Sequence, residues 1–319
     1  MVQCIIVPEP DRLWEFCPSL GAAVAFLIIF AITSIAHTIQ AIIHRKAFAI
    51  VLIMGGLWET TGFILRVLSV TNPRNGAFYS NQGILILLAP LWINAFVYMA
   101  LGRLIHFSLI QDTVLRIKAR RLTLIFVLFD ITAFLMQATG GILAADSESS
   151  QTKKTGYNIY TAGVGIQMGF IGIFVVMAAR FHHKLLNPCT YNLCDEADQS
   201  LSAVKRMLFS LYAALALILY RNSFRLAEYA TGADSPLRKQ EWWFFVFDAA
   251  AMSAAMVLLN IFHPGHVLRG PRKDFSEETK MLRRAKKQEK MAKYQEFRGD
   301  EEYAMGDSRR SIGKINARV

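Results

Sequence analysis

Apolar and polar positions separate along this chain into seven long apolar stretches joined by polar connectors: Leu20 to Ile43, Ala47 to Val70, Gly83 to Ile110, Leu122 to Ala145, Tyr157 to Ala179, Val204 to Ala227, and Trp242 to Phe262. A hydrocarbon core of about 30 Å takes around 20 helical residues per crossing, and every stretch is long enough. None shows the weak ten-residue alternation of a membrane barrel strand. The pattern predicts an all-α membrane protein, a bundle of seven transmembrane helices. Pro264 and Gly265 stop the last helix. Three parts follow: an N-terminal segment 1–19, a membrane domain 20–268 and a basic tail 269–319.

Charged residues inside the stretches change the picture. Arg221, Arg225 and Glu228 follow one another by four and then three residues in the sixth span, which puts them on one helical face. Glu59, Gly62 and Arg66 share a face of the second span in the same way, and Asp248 lies in the corresponding half of the seventh. One charge near the bilayer centre costs roughly 2.5–3.5 kcal/mol on insertion scales. Unpaired charges cost far more, so the spacing predicts a network of Arg66, Arg221, Arg225, Glu228, Asp248 and, deeper, Glu59. Glu228 and Glu241 are the acids best placed to reach the surface instead. A second polar pair is expected at the opposite end, Arg103 of the third span with Asp130 of the fourth, and Gln137 two turns along from Asp130.

The net charge of +11 would suggest nucleic acid if its placement were ignored. The cations cluster at Arg45-Lys46, in 116–121, at Lys184 and Lys205-Arg206, and throughout the tail, with alternate connectors poorer. By the positive-inside rule the N-terminus lies outside and the C-terminus in the cytosol. The tail then faces anionic inner-leaflet lipid, and nucleic acid is not an expected partner. No basic leader with a cleavage site precedes the first span, so that span is expected to act as its own insertion signal. Cys4 and Cys17 fall outside in this topology, where a disulfide is possible; Cys189 and Cys194 fall in the cytosol and stay reduced.

Small residues predict close helix contacts: Gly55, Gly56 and Gly62 in the second span, Gly140 and Gly141 in the fourth, Gly165 and Gly169 in the fifth.

The charged residues lie in motifs with a resemblance. Glu59-Thr-Thr-Gly62-Phe63-Ile-Leu-Arg66 resembles an E-x-x-G-Y-x-x-R element of the fungal RTA-like family of lipid-translocating exporters. Further matches are Ala89-Pro90 with Asn94, Tyr98 and Arg103, then Asp130 with Gln137, Gly140 and Gly141. Tyr220-Arg221-Asn222-Ser223-Phe224-Arg225-Leu226-Ala227-Glu228-Tyr229 follows, then Glu241 with Phe247-Asp248, and finally His263-Pro264-Gly265. Phe63 stands where the family pattern has Tyr. The resemblance implies a seven-span protein that exports or flips amphiphiles such as sphingoid long-chain bases, or confers resistance to amphiphilic toxins; the plasma membrane is the expected location, with an internal membrane as the alternative. Glu59 or Asp248 would suit such an amine. No cofactor or metal is implied.

Two other functions fit seven spans. A lipid-responsive receptor shares the topology, but the third span lacks an acidic-Arg-aromatic triplet and the seventh an Asn-Pro-x-x-Tyr element. A zinc-dependent membrane hydrolase would use interfacial histidines, of which His44, His106, His182, His183, His263 and His266 are candidates, although Pro264 breaks the helix between the last two. ATP-driven pumping is disfavoured because no G-x-x-x-x-G-K-[ST] loop occurs.

Overall fold

Ser19 starts the first helix: its hydroxyl accepts from the Ala22 amide at 3.3 Å, satisfying one of the orphan donors of the first turn. This helix, α1 (Leu20–His44), ends at Arg45 in the left-handed conformation, φ 50°. In the computed structural model the described residues are 13–14, 16–45, 47–108, 113–114, 117–146, 149–186, 197–232, 235–267 and positions 284, 287, 288 and 291. One turn of 3₁₀ helix (Ala47–Ala49) leads into α2 (Ile50–Thr71), followed by α3 (Gly76–Ser108). A two-residue antiparallel ladder, Thr113–Val114 with Ile117–Lys118, precedes α4 (Ala119–Asp146). Then come α5 (Ser150–Leu185), α6 (Ala197–Ala230) and α7 (Glu241–Ile261). All seven are long and apolar enough to cross a membrane. Residues 1–269 form one compact unit and 270–319 another. The four described tail positions are helical.

Several helices outrun the apolar stretches that announced them. The third starts at Gly76, with the Asn75 carboxamide oxygen capping Ala77 and Phe78. The polar connector between the fourth and fifth stretches is mostly the first turns of α5. Apolarity marks only the part of a helix that meets hydrocarbon; backbone hydrogen bonding continues into the polar flanks wherever residues permit it. The connector between the fifth and sixth stretches is shortened likewise, with helix to Leu185 and again from Ala197.

Each helix packs on its sequence neighbours, α7 closes the ring onto α1, and α3 also touches α6. That makes α3 the central helix, and its Ile93, Phe96, Tyr98, Leu101 and Ile105 are fully buried. Aromatic rings fill two regions: Phe26, Phe30, Phe63 and Phe245 stack between α1, α2 and α7, and Tyr98, Phe126 and Phe174 between α3, α4 and α5. Phe63 thus belongs to an apolar stack in which a tyrosine hydroxyl would need a partner. On α1, Ile28, Ile32, Ile35, Ile39 and Ile42 are exposed at three- and four-residue spacing. That ridge suits lipid.

The glycines divide by face. A Cβ on Gly62 would meet Ile86 at 2.7 Å, and Cβ atoms on Gly140 and Gly156 would press into each other's helix backbone. Gly163 likewise meets the Ala133 carbonyl at 2.9 Å. Gly165 and Gly169, expected to pack, have nothing within 4 Å, because the seam of α5 against α4 runs through Gly156 and Gly163 instead. Gly141 is in ordinary contact only. Replacing Gly169 with Ala is therefore expected to leave thermal stability in detergent unchanged or raised by up to about 1 kcal/mol, the usual helix-propensity gain. Gly163→Ala is expected to lower it.

Cys17 is disulfide-bonded. Cys4, Cys189 and Cys194 lie outside the described residues.

Candidate functional site

The helices alternate in direction, so the C-terminal ends of α2 and α6 meet the N-terminal end of α7 at the end of the bundle where α1 begins. Arg221 and Arg225, one turn apart on α6, both reach the Asp248 carboxylate. Arg221 Nε donates to Oδ1 at 2.6 Å, and Arg225 Nη2 pairs with Oδ2. Asp248 and Arg221 are 1% and 3% exposed, so solvent does not screen them. Five residues around Asp248, Phe245–Ala249, form a π-helical turn within α7. Such turns rotate side chains relative to regular helix and recur at functional sites. Here the turn lies where the carboxylate meets two guanidinium groups.

Arg225 also donates to Glu228 Oε2 at 3.0 Å along its own helix. The other oxygen of Glu228 faces Arg238, from the α6–α7 connector, at 3.9 Å. Arg238 lies over the rings of Tyr157 and Tyr229 and donates to the Tyr157 hydroxyl at 2.5 Å. Arg66 joins through a different acid. Its Nη2 donates to Glu241 Oε1 at 2.6 Å, and its guanidinium sits among Trp14, Phe244 and Phe245. The Ser19 amide holds the second Glu241 oxygen at 2.6 Å. Neither Glu228 nor Glu241 escapes to the surface: their side chains are 12% and 9% exposed. Two anchors for each carboxylate outweigh its gain from solvation at the rim.

Glu59 is the exception. It is 1% exposed and lies within the field of Asp248, Arg221 and Arg225, yet its Oε1 makes no hydrogen bond, and among the described residues no cation pairs with it. Arg66, on the same face of α2, turns to Glu241. The helices thus bring together Glu59, Arg66, Arg221, Arg225, Glu228 and Asp248, and the structure adds Glu241 and Arg238. A loop arginine and a residue at the start of a helix carry no periodic signal, which is why sequence reasoning missed their partnership.

The other expected pair is not formed. Arg103 lies 4.0 Å over the Phe48 ring and donates to the Met99 carbonyl. Asp130 instead faces Tyr98 and Asn94, and neither of its oxygens makes a well-formed hydrogen bond. Equal depth on neighbouring helices did not specify the facing residue. Gln137 donates to Gln167 of α5 at 2.9 Å. Among the interfacial histidines, His44 stacks on His263, and His182 packs against Phe209 and Tyr212. Among the described residues no three His, Cys, Asp or Glu side chains are placed to hold a metal ion.

Comparison with known proteins accords with the charge motifs. The family model described as RTA1 like protein matches residues 52–271. The probable lipid transporter atnI of Emericella nidulans is 39% identical over 262 residues, covering 81% of this chain and 68% of the relative. The sphingoid long-chain base transporter RSB1 of Saccharomyces cerevisiae is 28% identical over 287 residues, 79% of this chain and 73% of the relative. Protoporphyrin uptake protein 1 of the same yeast is 28% identical over 284 residues, 78% and 91% of the two chains. No solved structure matches. The match spans six of the seven helices and every charge in the network, and on it this integral, multi-pass membrane protein belongs to the RTA1 like protein family.

Proposed function

We propose that this protein moves cationic amphiphiles, of the class of sphingoid long-chain bases, across its membrane without altering them chemically. The buried Glu59 carboxyl carries the reading: it adjoins a set of ion pairs and, among the described residues, has no cation of its own. An alkylammonium headgroup supplies that cation, and a low-dielectric surrounding makes the pairing strong. The acyl chain stays against apolar helix surface or lipid. Asp248, the other carboxylate that the sequence offered to an amine, is taken by two guanidinium groups. The relatives named for lipids and for long-chain bases support the substrate class.

In this reading the N-terminus faces outside and the tail rests on the anionic inner leaflet of the plasma membrane. The charge network then lies in the outer half, where a headgroup arriving from or leaving for the outer leaflet would meet it. The test is reconstitution into vesicles with a fluorescent long-chain base, its N-acylated and uncharged analogue, and an imposed or absent pH gradient. The base is expected to cross faster than in protein-free vesicles, and the acylated analogue is not. Equal acceleration of both contradicts recognition of the amine; acceleration of neither contradicts translocation.

A further inference from the structure

The rim beside Arg238 has a composition that the charge network does not explain. Tyr160 and Tyr229 stack face to face, ring centroids 3.5 Å apart, and Tyr157 lies 6.0 Å from Tyr229. Three tyrosines from two helices thus form a wall next to the Glu228 carboxylate. The arginine carbon Cζ of Arg238 sits 5.2 Å and 5.0 Å from the Tyr157 and Tyr229 ring centres. Aromatic faces beside a carboxylate are the chemistry that recognises alkylammonium cations.

The geometry points to a second cation site at this rim, an aromatic cage of Tyr157, Tyr229 and Glu228, backed by Tyr160, for the ammonium headgroup of an amphiphile, in which Arg238 is a displaceable internal tenant. The tyrosines are fixed: Tyr157 and Tyr160 are buried on α5, and Tyr229 is stacked on Tyr160. Arg238 is not on a helix. It belongs to a turn closed by its amide on the Ser235 carbonyl, and its side chain is 28% exposed. Its pairing with Glu228 at 3.9 Å is longer than that of Arg225 at 3.0 Å, and its other holds, the Tyr157 hydroxyl and two ring faces, are ones for which an entering cation competes.

Displacing Arg238 need not leave Glu228 alone, because Arg225 holds the other oxygen. From Glu228 the charges continue through Arg225 and Asp248 to Arg221, with Glu59 beside them. The cage is therefore the rim station of a line that ends at Glu59. This inference rests on the cationic-amphiphile reading for its ligand class, not for its geometry.

The test is calorimetric titration of the purified full-length protein with tetramethylammonium and n-butylammonium, with 3,3-dimethylbutanol as an uncharged probe of similar shape. If Arg238 fills the cage about nine-tenths of the time, Arg238→Ala binds both cations about tenfold more tightly than wild type. Tyr157→Phe keeps the ring and is expected to retain binding in that background, whereas Tyr157→Leu loses it. Unaltered or weaker cation binding in Arg238→Ala overturns the cage, as does equal binding of the neutral probe. Tight binding in Arg238→Ala without vesicle translocation by the wild type would keep the cage and remove the transport reading; translocation with no effect of Arg238→Ala does the reverse.

Discussion

Asp248→Asn is expected to destabilise the protein by about 3–5 kcal/mol, the usual cost of leaving buried charge without its partner. The amide keeps the carboxylate's shape and one acceptor, so the loss is electrostatic. Two guanidinium groups, from Arg221 and Arg225, share this one acid, and both face a water-poor surrounding. Arg221→Met is expected to cost less, because Asp248 retains Arg225 and Arg225 retains Glu228. The double variant Arg221→Met with Asp248→Leu should be milder than Asp248→Asn, since it removes one of the stranded cations. Thermal unfolding in detergent, with the folded yield at the membrane, reads this order. Asp248→Asn as stable as wild type would mean that the pairing is not what holds α6 to α7.

The second large effect is steric. A Cβ on Gly140 would lie 2.5 Å from the Tyr160 amide nitrogen and 2.6 Å from the Gly156 carbonyl oxygen. These are backbone atoms, so no rotamer can move aside. Gly140→Ala is expected to cost about 1–3 kcal/mol, and Gly140→Leu more, because α4 and α5 must separate. Gly141→Ala, one residue on, meets only the Tyr160 ring at 3.9 Å and should stay within about 0.5 kcal/mol. Because Gly140 abuts the backbone of Tyr160, its replacement should also disturb the Tyr160–Tyr229 stack. Melting curves for the two alanine variants give the comparison; equal stability would place the seam elsewhere.

What the sequence revealed follows from which physical signals are periodic. Apolar length locates a helix that meets hydrocarbon, so all seven spans were legible while the polar extensions of α3, α5 and α6 were not. Spacing by three and four assigns residues to one face, so Arg221 and Arg225 could be matched with Asp248 by depth. Depth alone does not name a neighbour: Arg103 and Asp130 lie on adjacent helices, yet Arg103 turns to Phe48. A glycine pair at four-residue spacing likewise leaves its face undefined, and Gly165 and Gly169 lie on the side of α5 away from α4. The π-helical turn at Asp248 and the swing of Arg238 onto two tyrosines depend on tertiary packing and had no signature in the chain.

Glu59 is where the network and the proposed substrate meet, and one substitution tests that meeting most directly. Glu59→Gln replaces a carboxyl that no described cation pairs with by an amide of the same shape, so folding and membrane insertion should change little while recognition of the amine is lost. The decisive measurement is translocation of a fluorescent long-chain base by vesicles holding equal amounts of folded wild-type or Glu59→Gln protein. Loss of protein-dependent movement in the variant, with an unchanged melting temperature, is the predicted result; movement at the wild-type rate would contradict the role given to this carboxylate.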